Sequence, residues 1–222
     1  MRPTAPVRDA VRALLRRDDA AADPDTLAQA LALEVATHQG SELSDRITAQ
    51  IRDALSDANR VSLIVTGLGW LGGGVQAIEN ALLRLVGGAE HELALAVYAM
   101  SPGPERLWAA IAHALDGGIR STLIVDRLDE QNPAMRDWVH RLKSRHTRTL
   151  RVVDFRGEDG NDHLHAKIVV ADRRTAIVGS ANLTAHGLLL AHELALLVEG
   201  PAAEEIAGRL DVLARSHLVR TV

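Results

Sequence analysis

The spacing of apolar positions changes along the chain and divides it near residue 60. Through the first third, apolar residues recur every three or four positions, which is the spacing of one helix face. Asp23 followed by Pro24 is typical of a helix start, with a capping side chain and then proline at the first helical position. The pattern predicts an all-helical N-terminal extension over residues 1–58. The apolar positions that define it are Val7, Val11, Leu14, Leu15, Leu27, Leu31, Val35, Leu43, Ile47, Ile51 and Leu55.

From residue 61 the pattern becomes short apolar runs, rich in β-branched residues, that alternate with amphipathic segments. The first run, VSLIVTG at 61–67, ends at a glycine. Strands that alternate with helices of this length predict an α/β layered sheet flanked by helices, largely parallel, over residues 59–222. The further predicted strands are 92–100, 119–127, 149–155, 165–171, 175–181 and 193–200, and the predicted helices are 74–89, 104–118, 133–145 and one that begins at Pro201.

Composition then narrows the class of protein. Hydrophobic residues make up 47% of the 222 residues, enough for a core, but aromatic residues make up only 2%. Because cysteine is absent, disulfides, thiolate catalysis and cysteine-ligated metals are excluded. The formal net charge of −4 does not suggest a polyanion-coating protein. No signal peptide or membrane helix is predicted, so we expect a cytoplasmic protein with no membrane partner.

The stretch HLHAKIVVADRRTAIVGSANLT, residues 163–184, carries the candidate chemistry. It has the pattern H-x-K-x4-D-x6-G-S-x-N, formed by His165, Lys167, Asp172, Gly179, Ser180 and Asn182. His165 and Lys167 are two apart in a strand pattern, so both are expected on one face, with Ala166 and Ile168 turned to the core. An imidazole beside a fixed ammonium can attack phosphorus while the cation neutralises the phosphoryl oxygens. Ser180 and Asn182 would add a hydroxyl and an amide, and Gly179 would keep the backbone thin where a substrate approaches.

This pattern resembles the signature of the phospholipase D superfamily, known as the HKD motif. The resemblance implies a phospholipase D-like fold and phosphodiester chemistry through a phosphohistidine at His165, without a metal or other cofactor. It also implies that Asp172 is structural and ties down the turn between the two motif strands. A glutamate on the next strand would hold the histidine in one tautomer, and Glu193 opens that strand here. His163 and His192 flank the motif and could assist, although an ordinary polar role is the better interpretation of each.

Members of the family build one active site from two HKD motifs, and this chain contains one. His38, His91 and His113 are not followed by x-Lys, so no second copy is found. Either two chains form a symmetric homodimer in which the two copies of His165 meet, or the site is incomplete and the protein only binds. Short single-motif members of the family act as dimers, which favours the homodimer.

The substrate is less determined than the chemistry. Residues 136–151 form the one dense basic stretch and could contact nucleic-acid phosphates beside the site, or could be an ordinary solvated helix face. The favoured interpretation is a nuclease; a phospholipase, a phosphatidyl transferase and a catalytically silent scaffold remain alternatives. The overall plan also resembles phospholipase D-like proteins of DISARM-type antiphage systems, which implies phage defence alongside partner proteins. The cations of the stretch are Arg136, Arg141, Lys143, Arg145, Arg148 and Arg151.

Overall fold

A computed structural model describes residues 59–67, 69–70, 75–158 and 162–222 of the chain. The helices predicted for residues 1–58 lie outside the described residues. The first described element is therefore the strand that begins at Arg60.

The described residues form one sheet of nine strands, flanked by helices on both faces. Along the sheet the order is β2-β1-β8-β7-β6-β3-β4-β5-β9. The predicted α/β layered sheet flanked by helices is therefore confirmed. The strands are β1 (Arg60–Thr66), β2 (Gln76–Ala77), β3 (Glu92–Val97), β4 (Arg120–Asp126), β5 (Leu150–Phe155), β6 (Lys167–Ala171), β7 (Thr175–Gly179), β8 (Glu193–Glu199) and β9 (Val219–Thr221).

The prediction of a largely parallel sheet is wrong, because the sheet is mixed. Strands β3, β4 and β5 run parallel, and β1 is parallel to the short β2. The other neighbours, β1–β8, β8–β7, β7–β6, β6–β3 and β5–β9, pair antiparallel. The physical reason is connection length: only three residues separate β6 from β7, which is far too short for the crossover that a parallel pair needs.

Four α-helices lie in the described residues, each with a buried apolar stripe. Helix α1 begins after β2. Its last turn is closed by the Gly88 N–H, which donates to the backbone carbonyl of Arg84. Helix α3 starts at Pro133, and the Asn132 side chain caps it by accepting from the Ala134 N–H. The bounds are α1 (Ile78–Gly87), α2 (Glu105–Asp116), α3 (Pro133–Arg145) and α4 (Pro201–Arg215), with a 3₁₀ turn at Leu128–Glu130 and a π-helical turn at His186–Leu190.

The sheet separates two apolar clusters. Helices α1, α2 and α3 pack on one face around residues such as Leu95, Val125 and Val169. Helix α4 covers part of the other face, over Ile124 and Val170. Val169 and Val170 are successive residues of β6 on opposite faces, so the alternation predicted for this strand is confirmed.

Candidate active site

Most of the candidate residues lie together at one end of the sheet's strands; we call this end the site edge and the other end the opposite edge. The carboxyl ends of β3 and β4 and the start of β6 lie there, since Lys167 pairs with Val97. The start of β8 lies there too, because Glu193 pairs with Thr66 at the end of β1. In open sheets that contain parallel strands, ligands bind beyond the carboxyl ends of those strands.

His165 and Lys167 meet around the ring of Tyr98, which directly follows β3. The His165 and Tyr98 ring centroids are 4.4 Å apart. The Lys167 ammonium lies 4.7 Å from the centroid of the same ring and donates to the His165 carbonyl at 2.8 Å. The His165 side chain is exposed, just before β6 begins at Lys167. The two side chains are thus close together and open to a substrate.

Lys167 is half-buried, and its surroundings alter its acidity. Burial lowers the pKa of the Lys167 ammonium below its ordinary value, against the opposing pull of the negative charges of Glu193 and Asp126. A cation that has lost part of its hydration gains more from an arriving anion than a solvated one does. Lys167 is therefore suited to binding a phosphoryl oxygen.

Ser180 and Glu193 form a second pair at the site edge. The Ser180 hydroxyl donates to the Glu193 carboxylate in a short hydrogen bond, and it also accepts from the Leu194 N–H at 3.3 Å. Within the described residues Glu193 bonds Ser180 rather than His165 of the same chain. The glutamate is at the predicted start of β8, and its contact with the histidine stays a prediction.

Asn182 lies beyond the end of β7, and its side-chain carbonyl oxygen is buried. Among the described residues this oxygen has no hydrogen-bond partner. Gly187 covers the Asn182 backbone so closely that an added Cβ would lie 3.0 Å from the Asn182 nitrogen. Most buried acceptors in folded proteins are hydrogen-bonded, so this oxygen differs from the other buried polar side chains near the site.

Gly179 is expected from the sequence to make room for a substrate, but the structure gives a different reason for the glycine. A Cβ at this position would collide with the side chain of Ala195 and would lie 2.7 Å from the Leu194 carbonyl oxygen. Both residues belong to β8, the neighbouring strand. Gly179 therefore permits close strand packing behind the site.

Asp172 lies at the opposite edge of the sheet. It is five residues from Lys167, which places it about 16 Å away along β6. With Arg173 it forms a tight hairpin turn in which both residues have positive φ, 51° and 58°. Its carboxylate accepts from the backbone N–H groups of Glu90, His91 and Glu92 at 2.7–2.9 Å. The geometry is that of an anchor for the β6–β7 turn.

The bonding of Asp172 alters its acidity in a way that matters for stability. Partial burial alone would raise the pKa of the Asp172 carboxyl, but the hydrogen bonds from the three backbone N–H groups and the nearby His91 lower it below the ordinary value. The folded chain thus favours the ionised carboxylate.

Sequence reasoning missed a group of residues behind the histidines. Asp126 ends β4 with only 2% exposure, and its carboxylate lies 2.8 Å from Nδ1 of His163. The Gln131 amide donates to the carbonyls of Asp126 and Tyr98 at 2.6 and 2.8 Å. Asp126 could have been found from the sequence, because it is a polar residue at the end of an apolar strand. Tyr98 likewise directly follows the apolar strand β3.

His192, the other flanking histidine, lies against a different part of the chain. Its exposed ring lies over Gly67, where an added Cβ would be 2.7 Å from the ring. Its centroid is 6.2 Å from that of Trp70. The described residues include no hydrogen bond or ring contact between His192 and His165.

Most of the basic stretch lies away from the site edge. Lys143, Arg148 and Arg151 line a cavity of about 440 Å³ beside the start of β5. That end of β5 is opposite the one that reaches the site edge, because Leu150 pairs with Ser121 near the start of β4. Of the two interpretations, phosphate contacts beside the site are thus open to Arg136, which lies at the site end and donates to the Asp129 carbonyl at 2.6 Å, but not to Lys143, Arg148 and Arg151.

Two classes of feature are absent from the described part of the chain. No helix in it is long and apolar enough to cross a membrane. No group of three or more His, Asp or Glu side chains in residues 59–67, 69–70, 75–158 and 162–222 is placed to hold a metal ion.

Comparison with known proteins agrees with this fold and motif. Residues 82–215 match the family model described as the phospholipase D-like domain of cardiolipin synthase. This match covers more than half of the chain, so the chain belongs to the phospholipase D-like family. It has the fold of the family's phosphodiesterases.

One curated relative is similar to this chain in sequence. The chain is 26% identical over 122 residues to the DISARM protein DrmC of Bacillus paralicheniformis, covering 54% of this chain and 49% of that protein. The chain thus spans about half the length of this relative.

The solved structures share the fold. Nuc of Salmonella typhimurium, a phospholipase D family member, and NucT of Helicobacter pylori each superpose with a TM-score of 0.58 at 16% identity. The match covers 74% of this chain and 99% and 100% of theirs. Phosphatidylserine synthase of Haemophilus influenzae also gives 0.58, at 18% identity, over 81% of this chain and 47% of that one.

Proposed function

We propose that this chain is a metal-independent nuclease that cleaves phosphodiesters through a phosphohistidine at His165. The observation that carries the proposal is the exposed His165 imidazole beside the partly desolvated Lys167 ammonium, both packed on Tyr98. His165 is the nucleophile, and Lys167 neutralises the phosphoryl oxygens. Ser180 and Asn182 supply further polar contacts, and Asp172 holds the turn that supports the motif.

The reaction needs two histidines. A ring nitrogen of one His165 attacks phosphorus as the bond from phosphorus to the leaving oxygen breaks, and the second histidine gives its proton to that oxygen. Water then attacks phosphorus, the P–N bond breaks, and the second histidine takes the proton from the water. Because the chain carries one motif, we infer that the second histidine is His165 of a second copy in a symmetric dimer.

An apolar strip beside the site supports this dimer. Leu194 and Leu196 of β8 and Val61 and Leu63 of β1 are exposed by 39–56%. Leu63 pairs with Leu196, so the strip is continuous across the two strands, and Leu194 directly follows Glu193. Contiguous exposed apolar side chains are typical of an interaction surface. A second copy seated there would lie next to the site edge, where the carboxylate of one chain can orient the histidine of the other.

We further propose that the protein acts in the cytoplasm in phage defence, with partner proteins of the same system. The likeness to DrmC, a DISARM protein, supports this role. Residues 1–58 would form the helical N-terminal extension, apart from a phospholipase D-like domain at 59–222.

A lipid substrate is the second candidate, and the comparisons supply its support. The matching family model is that of cardiolipin synthase, and a phosphatidylserine synthase shares the fold with the same TM-score as the two Nuc proteins. The same histidine chemistry would then act on a phospholipid headgroup. A silent scaffold, which would bind without cleaving, is the third possibility that the experiment separates.

The test compares wild type with His165→Ala in EDTA. The substrates are bis(p-nitrophenyl) phosphate, single- and double-stranded DNA and RNA, and phospholipid vesicles with a headgroup-release readout. Nucleic-acid cleavage that survives EDTA and is lost in the variant supports the nuclease. Headgroup release with vesicle flotation supports the lipid enzyme, and inactivity of a folded dimer on every substrate supports the scaffold.

A further inference from the structure

The pair formed by His163 and Asp126 has the geometry of a built binding group outside the motif. The Asp126 side chain is 3% exposed, and its Oδ2 lies 2.8 Å from Nδ1 of His163. Its other oxygen accepts from the Leu164 N–H at 2.7 Å. A buried carboxylate is stable only when it is paired and hydrogen-bonded, so Asp126 fixes both the ring and the backbone that leads to His165.

A second layer of bonds makes this pair rigid. Gln131 donates to the carbonyls of Asp126 and Tyr98, and its side-chain oxygen accepts from the Met100 N–H at 3.0 Å. The amide therefore ties the ends of β3 and β4 together beneath the histidines. Groups held in this way lose little further entropy when they bind a ligand.

The second ring nitrogen of His163, Nε2, is available for a ligand. When Nδ1 donates to the Asp126 carboxylate, Nε2 is left for another partner. The side chain is 47% exposed, and no described residue bonds Nε2. His163 and His165 both contact Tyr98, with centroids 6.0 and 4.4 Å from that ring, so the two imidazoles share one part of the site edge.

We propose that His163 binds the phosphate adjacent to the scissile one and so selects polymeric phosphodiesters, with Asp126 as its positioning residue. The inference rests on the proposed nuclease function and deepens it. The scissile phosphate already has His165 and Lys167, whereas His163 meets the same Tyr98 ring edge-on, with its centroid 6.0 Å away against 4.4 Å for His165. With Nδ1 donating to the Asp126 carboxylate, a protonated His163 can donate from Nε2 to a phosphate oxygen, which makes a charge-assisted hydrogen bond.

The experiment compares substrates with and without a flanking phosphate. The ratio of kcat/KM for a short oligonucleotide to that for bis(p-nitrophenyl) phosphate is measured for wild type, His163→Gln, Asp126→Asn and the control His140→Gln, which changes an exposed histidine of α3. We expect His163→Gln to lower this ratio roughly tenfold, mainly through KM, because one charge-assisted hydrogen bond is lost. Asp126→Asn should lower it less, and His140→Gln should leave it at the wild-type value.

A modified substrate gives the decisive comparison. In two oligonucleotides, the phosphate on either side of the cleaved bond is replaced in turn by an uncharged methylphosphonate. The replacement that removes the phosphate bound by His163 should lower the kcat/KM of wild type about as much as His163→Gln lowers it on the normal substrate. On that modified substrate, the kcat/KM of His163→Gln should be little lower than its kcat/KM on the normal substrate.

The outcomes separate this proposal from the nuclease proposal. If wild type neither binds nor cleaves oligonucleotides, the nuclease proposal fails and the subsite fails with it. If wild type cleaves them and His163→Gln leaves the ratio unchanged, the subsite alone is wrong. Equal losses by His163→Gln on both substrate classes also leave the ratio unchanged and would show that His163 does not act on a flanking phosphate.

Discussion

The polar groups at the two edges of the sheet differ in how far the chain satisfies their hydrogen bonds, although both edges carry parts of one short motif. At the site edge, His165 is exposed, Lys167 has lost hydration, and a buried Asn182 oxygen has no partner within the described residues. At the opposite edge, the Asp172 carboxylate is bonded by three backbone N–H groups. Groups that must meet a substrate keep free bonding capacity, whereas a group that holds a turn is satisfied within the chain. The proposed nucleophile and its cation therefore lie about 16 Å from the carboxylate that anchors the turn.

The strongest test of this contrast is His165→Ala. We expect phosphodiester cleavage to fall by at least about a thousandfold, because removal of a nucleophile leaves only binding and electrostatic effects. The free energy of unfolding should change little, since the side chain is exposed. His140→Ala on α3 is the matched control. Retention of more than a tenth of the activity would remove His165 from the role of nucleophile.

Lys167→Ala should have the next largest effect, a loss of roughly a hundredfold in kcat, because one preorganised cation is removed from the phosphoryl group. In wild type, the pKa of Lys167 is lowered by burial, so raising the pH through that lowered value should discharge the cation and reduce activity. Lys167→Arg keeps its charge to higher pH and should lose this alkaline decline. A pH–rate profile measures both effects; an identical decline in the arginine variant would assign it to another group.

At the opposite edge, Asp172→Ala should reduce stability rather than chemistry. Loss of the acceptor for three backbone N–H groups should cost about 2 kcal/mol, measured by urea unfolding. Activity per folded molecule should stay within about threefold of wild type, since the residue is remote from the site. Asp137→Ala, at an exposed position of α3, is the control.

The acidity of Asp172 gives a second readout of the same role. Because its pKa is lower in the folded chain than in the unfolded one, its contribution to stability is present above the unfolded value of about 3.9 and is lost as pH falls through the folded value. The stability difference between wild type and Asp172→Ala should therefore shrink in acid. A constant difference across this range would contradict the linkage.

The smallest effect is expected from substitutions of the arginines that line the cavity at the opposite edge. Arg148→Ala with Arg151→Ala should change nucleic-acid cleavage by less than about twofold at moderate salt, because charges well beyond a Debye length of about 10 Å are screened. Kinetics at two salt concentrations measure this, with Lys167→Ala as the sensitive reference. A tenfold loss would show that substrate reaches both edges and would break the contrast between them.

The sequence predicted the local elements well because each leaves a local signal. The apolar period identified the strands and helices from residue 61 onward, and the H-x-K-x4-D spacing identified His165, Lys167 and Asp172 as candidates. Strand direction was missed, since an apolar run has the same pattern in parallel and antiparallel neighbours. The role of Gly179 was missed for a related reason: the residue that needs its missing side chain, Ala195, is 16 positions away.

Taken alone, the sequence determined the α/β class and identified the candidate nucleophile and its cation. These follow from composition, period and spacing, which are properties of neighbouring residues. Only the tertiary structure showed that the Ser180 hydroxyl donates to Glu193 and that the Asp126 carboxylate contacts the His163 ring. It also showed that most of the basic stretch lies toward the opposite edge. Each of these depends on which strand ends meet, and the pairing of strands distant in the chain is set by the packing of the whole sheet.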